Sequence, residues 1–97
     1  VAGKEGLAIA LPGTLNRYAT APHSSSLNIT GAITISAWIR PNDVHVRKIL
    51  TKTGAGGYDL GLSSGGKVSF ILNGNSAQSV QSATSYPADG STWMHVA

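Results

Sequence analysis

The sequence contains no cysteine, and it contains no long apolar run. The absence of cysteine excludes a disulfide framework and a thiolate metal site, and it leaves the redox compartment of the protein open. Without a run of about eighteen apolar residues, the sequence offers no candidate for a transmembrane helix. The first residues, Val1-Ala2-Gly3-Lys4, also lack the apolar centre of a signal peptide. We therefore expect a soluble chain that is already mature or that was excised from a larger protein.

Charge is scarce as well. Charged residues make up 11% of the chain and hydrophobic residues 41%, a composition too apolar for disorder and too poor in charge for a coiled coil. The net charge of +3 raises the question of a nucleic-acid partner. The basic residues are scattered, however, and only Arg47 and Lys48 are adjacent, so no dense stripe can neutralise phosphates. We do not expect the protein to bind nucleic acid.

The clearest pattern that is present is an alternation before Pro41. Ile33, Ile35, Ala37 and Ile39 fall on one side of an extended chain, whereas Thr34, Ser36, Trp38 and Arg40 fall on the other. This period of two is typical of a half-buried β-strand. Gly31 precedes the stretch, and Pro41 ends it because proline cannot donate to a sheet ladder. The sequence predicts a strand over 33–40 with Trp38 on its outer face.

Similar short patterns recur about every ten residues. They predict further strands over 7–11, 17–21, 46–53, 58–63, 67–73, 78–84 and 93–97. Ser63 to Gly66 forms the clearest hairpin turn, with Tyr58, Leu60 and Leu62 on one face of the strand before it. No segment has a helical period and no internal repeat is visible. The pattern predicts an all-β protein, organised as an antiparallel sandwich or barrel.

Three pieces of this pattern resemble a known family. They are Leu27–Gly31 running into Ile33–Pro41, Ile49–Lys52 with Gly57–Leu60, and Trp93–Ala97. Their joint order and spacing resembles the laminin-G-like and pentraxin-like domains of the concanavalin A-like lectin/glucanase superfamily. The resemblance implies an antiparallel jelly-roll β-sandwich, usually extracellular or on the cell surface. It also implies a non-catalytic, lectin-like module that binds a glycan or a protein, sometimes together with calcium.

The sequence departs from that family at two places. Pro12-Gly13 stands where many relatives have an aspartate and a glycine, which removes a possible oxygen ligand. The family also continues well beyond its histidine-containing strand, so we expect residues 1–97 to be one laminin-G-like domain that is truncated at its C-terminus. Such an incomplete sandwich would expose an apolar face and unpaired backbone. We therefore expect self-association, or pairing with the missing half of the sandwich.

Five residues are the candidates for ligand binding. Trp38 could stack against a sugar ring, or a loop could cover it as a small satellite core. Tyr58 and Trp93 allow the same two interpretations, and for all three aromatic residues packing is the favoured one. The candidate ligand-binding residues are Trp38, Tyr58 and Asp59, with Asn73 and Asn75 as hydrogen-bonding partners in the following loop. The alternative hypothesis is a purely structural or interface portion of a larger extracellular enzyme or adhesin.

Catalysis and metal binding find little support in the sequence. The four acids, Glu5, Asp43, Asp59 and Asp89, include no closely spaced pair on one strand, as a glycosidase of this superfamily would need. Asp43 and Asp89 lie in turns, where aspartate is common. The three histidines lack zinc-site spacing. The serines beside His23 lack a nucleophile elbow, and the glycines at 54–57 open no helix that could hold a phosphate. We expect no enzyme, no catalytic or metal-binding residue and no identifiable cofactor, while the resemblance leaves calcium open.

Overall fold

The computed structural model describes residues 1–54 and 56–97. Its six strands are β1 (Ala37–Ile39), β2 (Arg47–Lys52), β3 (Tyr58–Leu62), β4 (Val68–Leu72), β5 (Ser79–Gln81) and β6 (Met94–Val96). The only helical elements in this part of the chain are two 3-10 turns, Ser25–Leu27 and Ser76–Gln78. No helix in the described ranges is long and apolar enough to cross a membrane.

The strands form two antiparallel sheets. β1 pairs with β6, and β2, β3, β4 and β5 follow one another in a four-stranded sheet. The predicted all-β antiparallel class is therefore confirmed. The hairpin predicted at 63–66 is also confirmed, because Ser63 N–H donates to Lys67 O at 2.8 Å and Gly66 takes the positive φ of 75° that this turn requires.

The alternation around β1 is confirmed, but the strand is shorter than predicted. Ile33, Ile35, Ala37 and Ile39 are half-buried, whereas the residues between them are exposed. Only Ala37–Ile39 has a ladder partner, which is β6. Alternation specifies which side chains turn towards the core, whereas a strand also needs a neighbouring backbone to bond with. Residues 33–36 have the alternation, but among the described residues they have no neighbouring backbone with which to form a ladder.

Two predicted strands near the N-terminus are wrong. The segments 7–11 and 17–21 contain no strand, and the one ladder contact in this region is an isolated bridge between Ala2 and Leu7. Their large side chains are exposed, including 89% of Leu7. Short apolar patterns ended by turn residues are the signal for both strands, and the described part of the fold supplies no partner strand for either. The strands predicted over 46–53, 58–63, 67–73, 78–84 and 93–97 are present with shorter ends.

The core lies on one face of β3. Tyr58, Leu60 and Leu62 are all buried, and Leu60 is 3% exposed. Leu60 pairs with Leu50 on one side and with Phe70 on the other, so this face is apolar across three strands. The glycine loop predicted at 54–57 joins β2 to β3, and Ala55 within it lies outside the described residues.

Two buried tyrosines tie connecting segments to this core. The Tyr58 hydroxyl donates to Leu27 O at 3.1 Å, which holds the first 3-10 turn against β3. The Tyr86 hydroxyl donates to Asp43 O at 3.2 Å, which holds the turn between β1 and β2. Burial raises the pKa of Tyr86, and the negative charge of Asp43 raises it further, so the hydroxyl remains a donor at neutral pH.

Candidate functional site

The outer face of the two-stranded sheet carries an exposed aromatic pair. Trp38 on β1 lies opposite His95 on β6, with ring centroids 5.2 Å apart and ring planes tilted by 59°. The partners of this pair on the inner face are Ala37 and Val96, of which Val96 is buried. Trp38 turns away from them and keeps 46% of its surface exposed. A flat apolar surface is therefore presented to solvent.

A second pair continues this surface. One step beyond the ladder, the same register brings Arg40 opposite Trp93, and the guanidinium carbon of Arg40 lies 5.0 Å from the Trp93 ring centroid. Residues two apart on a strand share a face, so both pairs point the same way. We call Trp38, Arg40, Trp93 and His95 the aromatic row.

The aromatic row is positively charged. The Lys4 ammonium lies 5.2 Å from the Trp38 ring centroid, a second cation–π contact beside that of Arg40. Exposed contacts of this kind contribute about 0.5–1 kcal/mol each. In the described part of the chain, the ion pairs of Asp43 and Asp59 involve neither Lys4 nor Arg40. Both cations thus remain available to a ligand.

The structure separates the five residues predicted to bind ligand. Trp38 lies on the two-stranded sheet, whereas Tyr58, Asp59, Asn73 and Asn75 belong to the four-stranded sheet and the loop after β4. Tyr58 is 7% exposed and its hydroxyl is engaged by Leu27, so its surroundings are those of a packing residue. These five residues do not form one surface.

Asp59 lies on the face of β3 opposite the core. Its Oδ2 atom pairs with Lys48 Nζ at 2.8 Å and accepts from the Thr51 hydroxyl at 3.1 Å. Its Oδ1 atom is buried and has no hydrogen-bond partner in the protein. A depression of about 410 Å³ lies on the same sheet, with Lys48, Ser69 and Gln81 among the polar residues that line it. Asp59 is one polar element of that face.

Asn73 and Asn75 shape the loop that follows β4. Asn73 has a positive φ of 55°, and its side-chain amide donates to Gln78 Oε1 at 3.1 Å. The side chain of Asn75 caps the second 3-10 turn by accepting from Ala77 N–H at 3.0 Å. Both asparagines have the local turn roles that their short polar side chains favour.

A comparison with protein families decides the identity of this fold. A laminin G family model, described as the concanavalin A-like lectin/glucanases superfamily, matches residues 12–97. The chain belongs to this superfamily. The resemblance drawn from the sequence is thereby confirmed, and the two antiparallel sheets agree with it. No curated protein and no solved structure matched the chain.

In this superfamily member, two aspartates serve the turns that hold the sheets. Asp89 accepts from the Thr92 hydroxyl and from the N–H groups of Ser91 and Thr92, at 2.6–2.8 Å. These bonds hold the pKa of Asp89 well below its usual range, and the bond from the Thr92 hydroxyl has the largest effect. For Asp43, desolvation raises the pKa, but the His45 backbone bond and the Arg47 charge outweigh it, so its pKa is also lowered. Within the described residues there is no cluster of three or more His, Cys, Asp or Glu that could hold a metal ion.

Of the aromatic row, only Trp38 is among the residues that the sequence predicts to bind ligand. Local sequence does not connect Arg40, Trp93 and His95 with it. Their signal is the spacing Trp-x-Arg in one strand and Trp-x-His in another, which places all four on one face once the two strands pair. The pairing itself joins residues far apart in the chain, and nothing local specifies it.

Proposed function

We propose that this superfamily member is a non-catalytic, lectin-like binding module that recognises a glycan through the aromatic row. The observation that carries the proposal is the exposure of Trp38. It lies on the face that turns away from the core, and 46% of its surface is exposed. An indole face can stack on the apolar face of a sugar ring. The neighbouring Arg40 and His95 supply donors for its hydroxyl groups. An extracellular or cell-surface location follows from this proposal, since exposed glycans are found there.

The lowered pKa values and the ion pair of the aspartates support a binding role rather than glycoside hydrolysis. A hydrolase needs a carboxylic acid with a raised pKa beside a second carboxylate. In this chain the pKa values of Asp43 and Asp89 are lowered, and Asp59 is paired with Lys48. These carboxylates are engaged in holding turns and strands together. We propose that binding needs no cofactor, and calcium is the ion whose removal tests this.

Titration with a panel of neutral and acidic oligosaccharides tests the proposal. Trp38 and Trp93 are the only two tryptophans, so intrinsic fluorescence reports directly on the row. We expect Trp38→Ala to weaken binding by about tenfold or more, because a loss of about 1.4 kcal/mol corresponds to a factor of ten. Tyr18→Ala is the matched control, because Tyr18 is an exposed aromatic residue outside the row. Chelation of calcium should leave the affinity unchanged.

Absence of binding to the whole panel by a folded preparation would overturn the glycan proposal. Unchanged affinity in Trp38→Ala would show that the row is not the recognition surface.

A structural role for Trp38 is the second candidate, and the position of Lys4 favours it. Its ammonium lies over the indole, so the N-terminal segment covers part of the ring. If this packing is the purpose of Trp38, Trp38→Ala should cost about 3–5 kcal/mol, as truncation of a core aromatic does. If Trp38 is a recognition residue, the same variant should lose affinity while its free energy of unfolding changes by less than about 1 kcal/mol.

A further inference from the structure

The two edges of the four-stranded sheet differ in charge. The edge strand β2 carries Arg47, Lys48 and Lys52, whereas the edge strand β5 carries no charge. No charged residue occurs between Lys67 and Asp89, so the segments on both sides of β5 are uncharged too. Natural proteins protect sheet edges against further pairing in several ways, among them charged residues, lysine above all, and proline. By this criterion β2 is protected and β5 is open.

The backbone of β5 presents free hydrogen-bonding groups. Ser82 N–H donates to Val68 O at 2.9 Å, which extends the β4–β5 ladder by one residue pair. In an antiparallel ladder, hydrogen-bonded and non-hydrogen-bonded pairs alternate. Val80 therefore bonds to β4, whereas Ser79 and Gln81 direct their N–H and C=O groups to the open side. An extended strand laid along β5 would satisfy them.

The protein exposes more surface than its size requires. The accessible area is 6865 Å², whereas a monomer of this mass is expected to expose about 5,200 Å². The surplus of about 1,700 Å² exceeds the ~800 Å² that each partner buries in a standard interface. Part of it lies beside the open edge, where Val80 is 66% exposed and Leu72 on β4 is 38% exposed.

We propose that β5 pairs with β5 of a second copy of this chain, antiparallel and about a twofold axis. Val80 then faces Val80 of the partner subunit, and Ser79 faces Gln81 of the partner subunit. This register satisfies the free groups of both strands and joins the two sheets into one of eight strands. A second copy fits because the interface is uncharged, so the net charge of +3 on each chain does not oppose contact there. Most soluble oligomers have this twofold symmetry.

A single cysteine tests the register directly. Facing residues of a non-hydrogen-bonded antiparallel pair have Cα atoms about 4.5 Å apart, and disulfides form at Cα separations of about 4.4–6.8 Å. Because the natural chain has no cysteine, any disulfide in Val80→Cys must be intermolecular. Mild oxidation should convert Val80→Cys to a covalent dimer. Val46→Cys is the matched control, because Val46 is 60% exposed beside the charged edge, and oxidation should form no disulfide between its subunits.

Light scattering of the unmodified protein and of two lysine variants supplies the second readout. We expect a dimer for the unmodified chain and for Val46→Lys, and a folded monomer for Val80→Lys. A monomeric unmodified chain at the highest attainable concentration would overturn the proposal. So would equal disulfide formation in the two cysteine variants, or a dimer that survives Val80→Lys. If Val80→Lys fails to fold by circular dichroism, the cysteine pair decides alone.

Discussion

Removing a single hydroxyl group, in Tyr58→Phe, separates the packing role of Tyr58 from a ligand-binding role. The ring is 7% exposed, and its hydroxyl donates to Leu27 O across 31 positions of the chain. Phenylalanine keeps the ring and removes this bond, whose net contribution to stability is about 0.5–1.5 kcal/mol. Leu27 lies at the surface, so its freed carbonyl can bond to water. We therefore expect a loss of about 1 kcal/mol.

Urea unfolding followed by circular dichroism measures this loss. With a slope of about 1–3 kcal/mol per molar urea, the midpoint should fall by about 0.3–1 M. Protein concentration must be held constant, because association of the folded chain would shift the midpoint by itself. Tyr58→Ala should cost more, about 3–5 kcal/mol, since it also empties the space of a buried ring.

Two results would refute this reasoning. If Tyr58→Phe weakens binding and leaves the urea midpoint unchanged, the hydroxyl contacts ligand and does not hold the first 3-10 turn. If Tyr58→Ala and Tyr58→Phe unfold at the same urea concentration, the ring does not pack in the core.

Two further variants and one control test the turns. The lowered pKa of Asp89 means that its carboxylate stabilises the fold above the unfolded-state pKa of about 3.9, and that this contribution is lost as the pH falls through the folded-state pKa. Asp89→Ala should therefore be less stable at neutral pH and lose less stability on acidification, and parallel curves of melting temperature against pH would contradict this. In Gly57→Ala the new Cβ would lie 2.3 Å from Lys52 O, so we expect a loss of more than about 2 kcal/mol. Gly31→Ala, with no atom within 4 Å of its Cβ, should change stability by less than about 1 kcal/mol, and equal urea midpoints would refute the distinction.

The direction of side chains could be predicted from the sequence because it depends on local alternation. Trp38 points outward since its neighbours Ala37 and Ile39 supply apolar surface to the core. Whether a segment forms a strand depends in addition on a partner strand. The strands predicted over 7–11 and 17–21 are wrong for this reason. Leu7 lies in an apolar alternation, but its ladder contact is a single isolated bridge to Ala2 and not a neighbouring strand.

Prediction of the candidate site from the sequence has the same limit, because local patterns do not show which side chains share a surface. Tyr58 and Asp59 are consecutive in β3, so their side chains must point to opposite faces of the sheet. Burial of Tyr58 therefore turns Asp59 outward, and one ligand cannot contact both from one side. The aromatic row depends instead on the register between β1 and β6, which are separated by most of the chain. Such a register is decided by tertiary structure rather than by either segment alone.

The positions of the aromatic row and of the open β5 edge have a joint consequence. The row lies on the β1–β6 sheet and the edge on the other, so pairing through β5 would leave both rows of a dimer free. Two free rows in one assembly make the second contact with a repeating glycan effectively intramolecular, and avidity then exceeds the affinity of a single row. A weak stacking surface of a few side chains would in this way suffice for retention on a polysaccharide. Val80→Lys should therefore preserve the affinity for a short oligosaccharide and lose retention on the polymer, whereas Trp38→Ala should lose both.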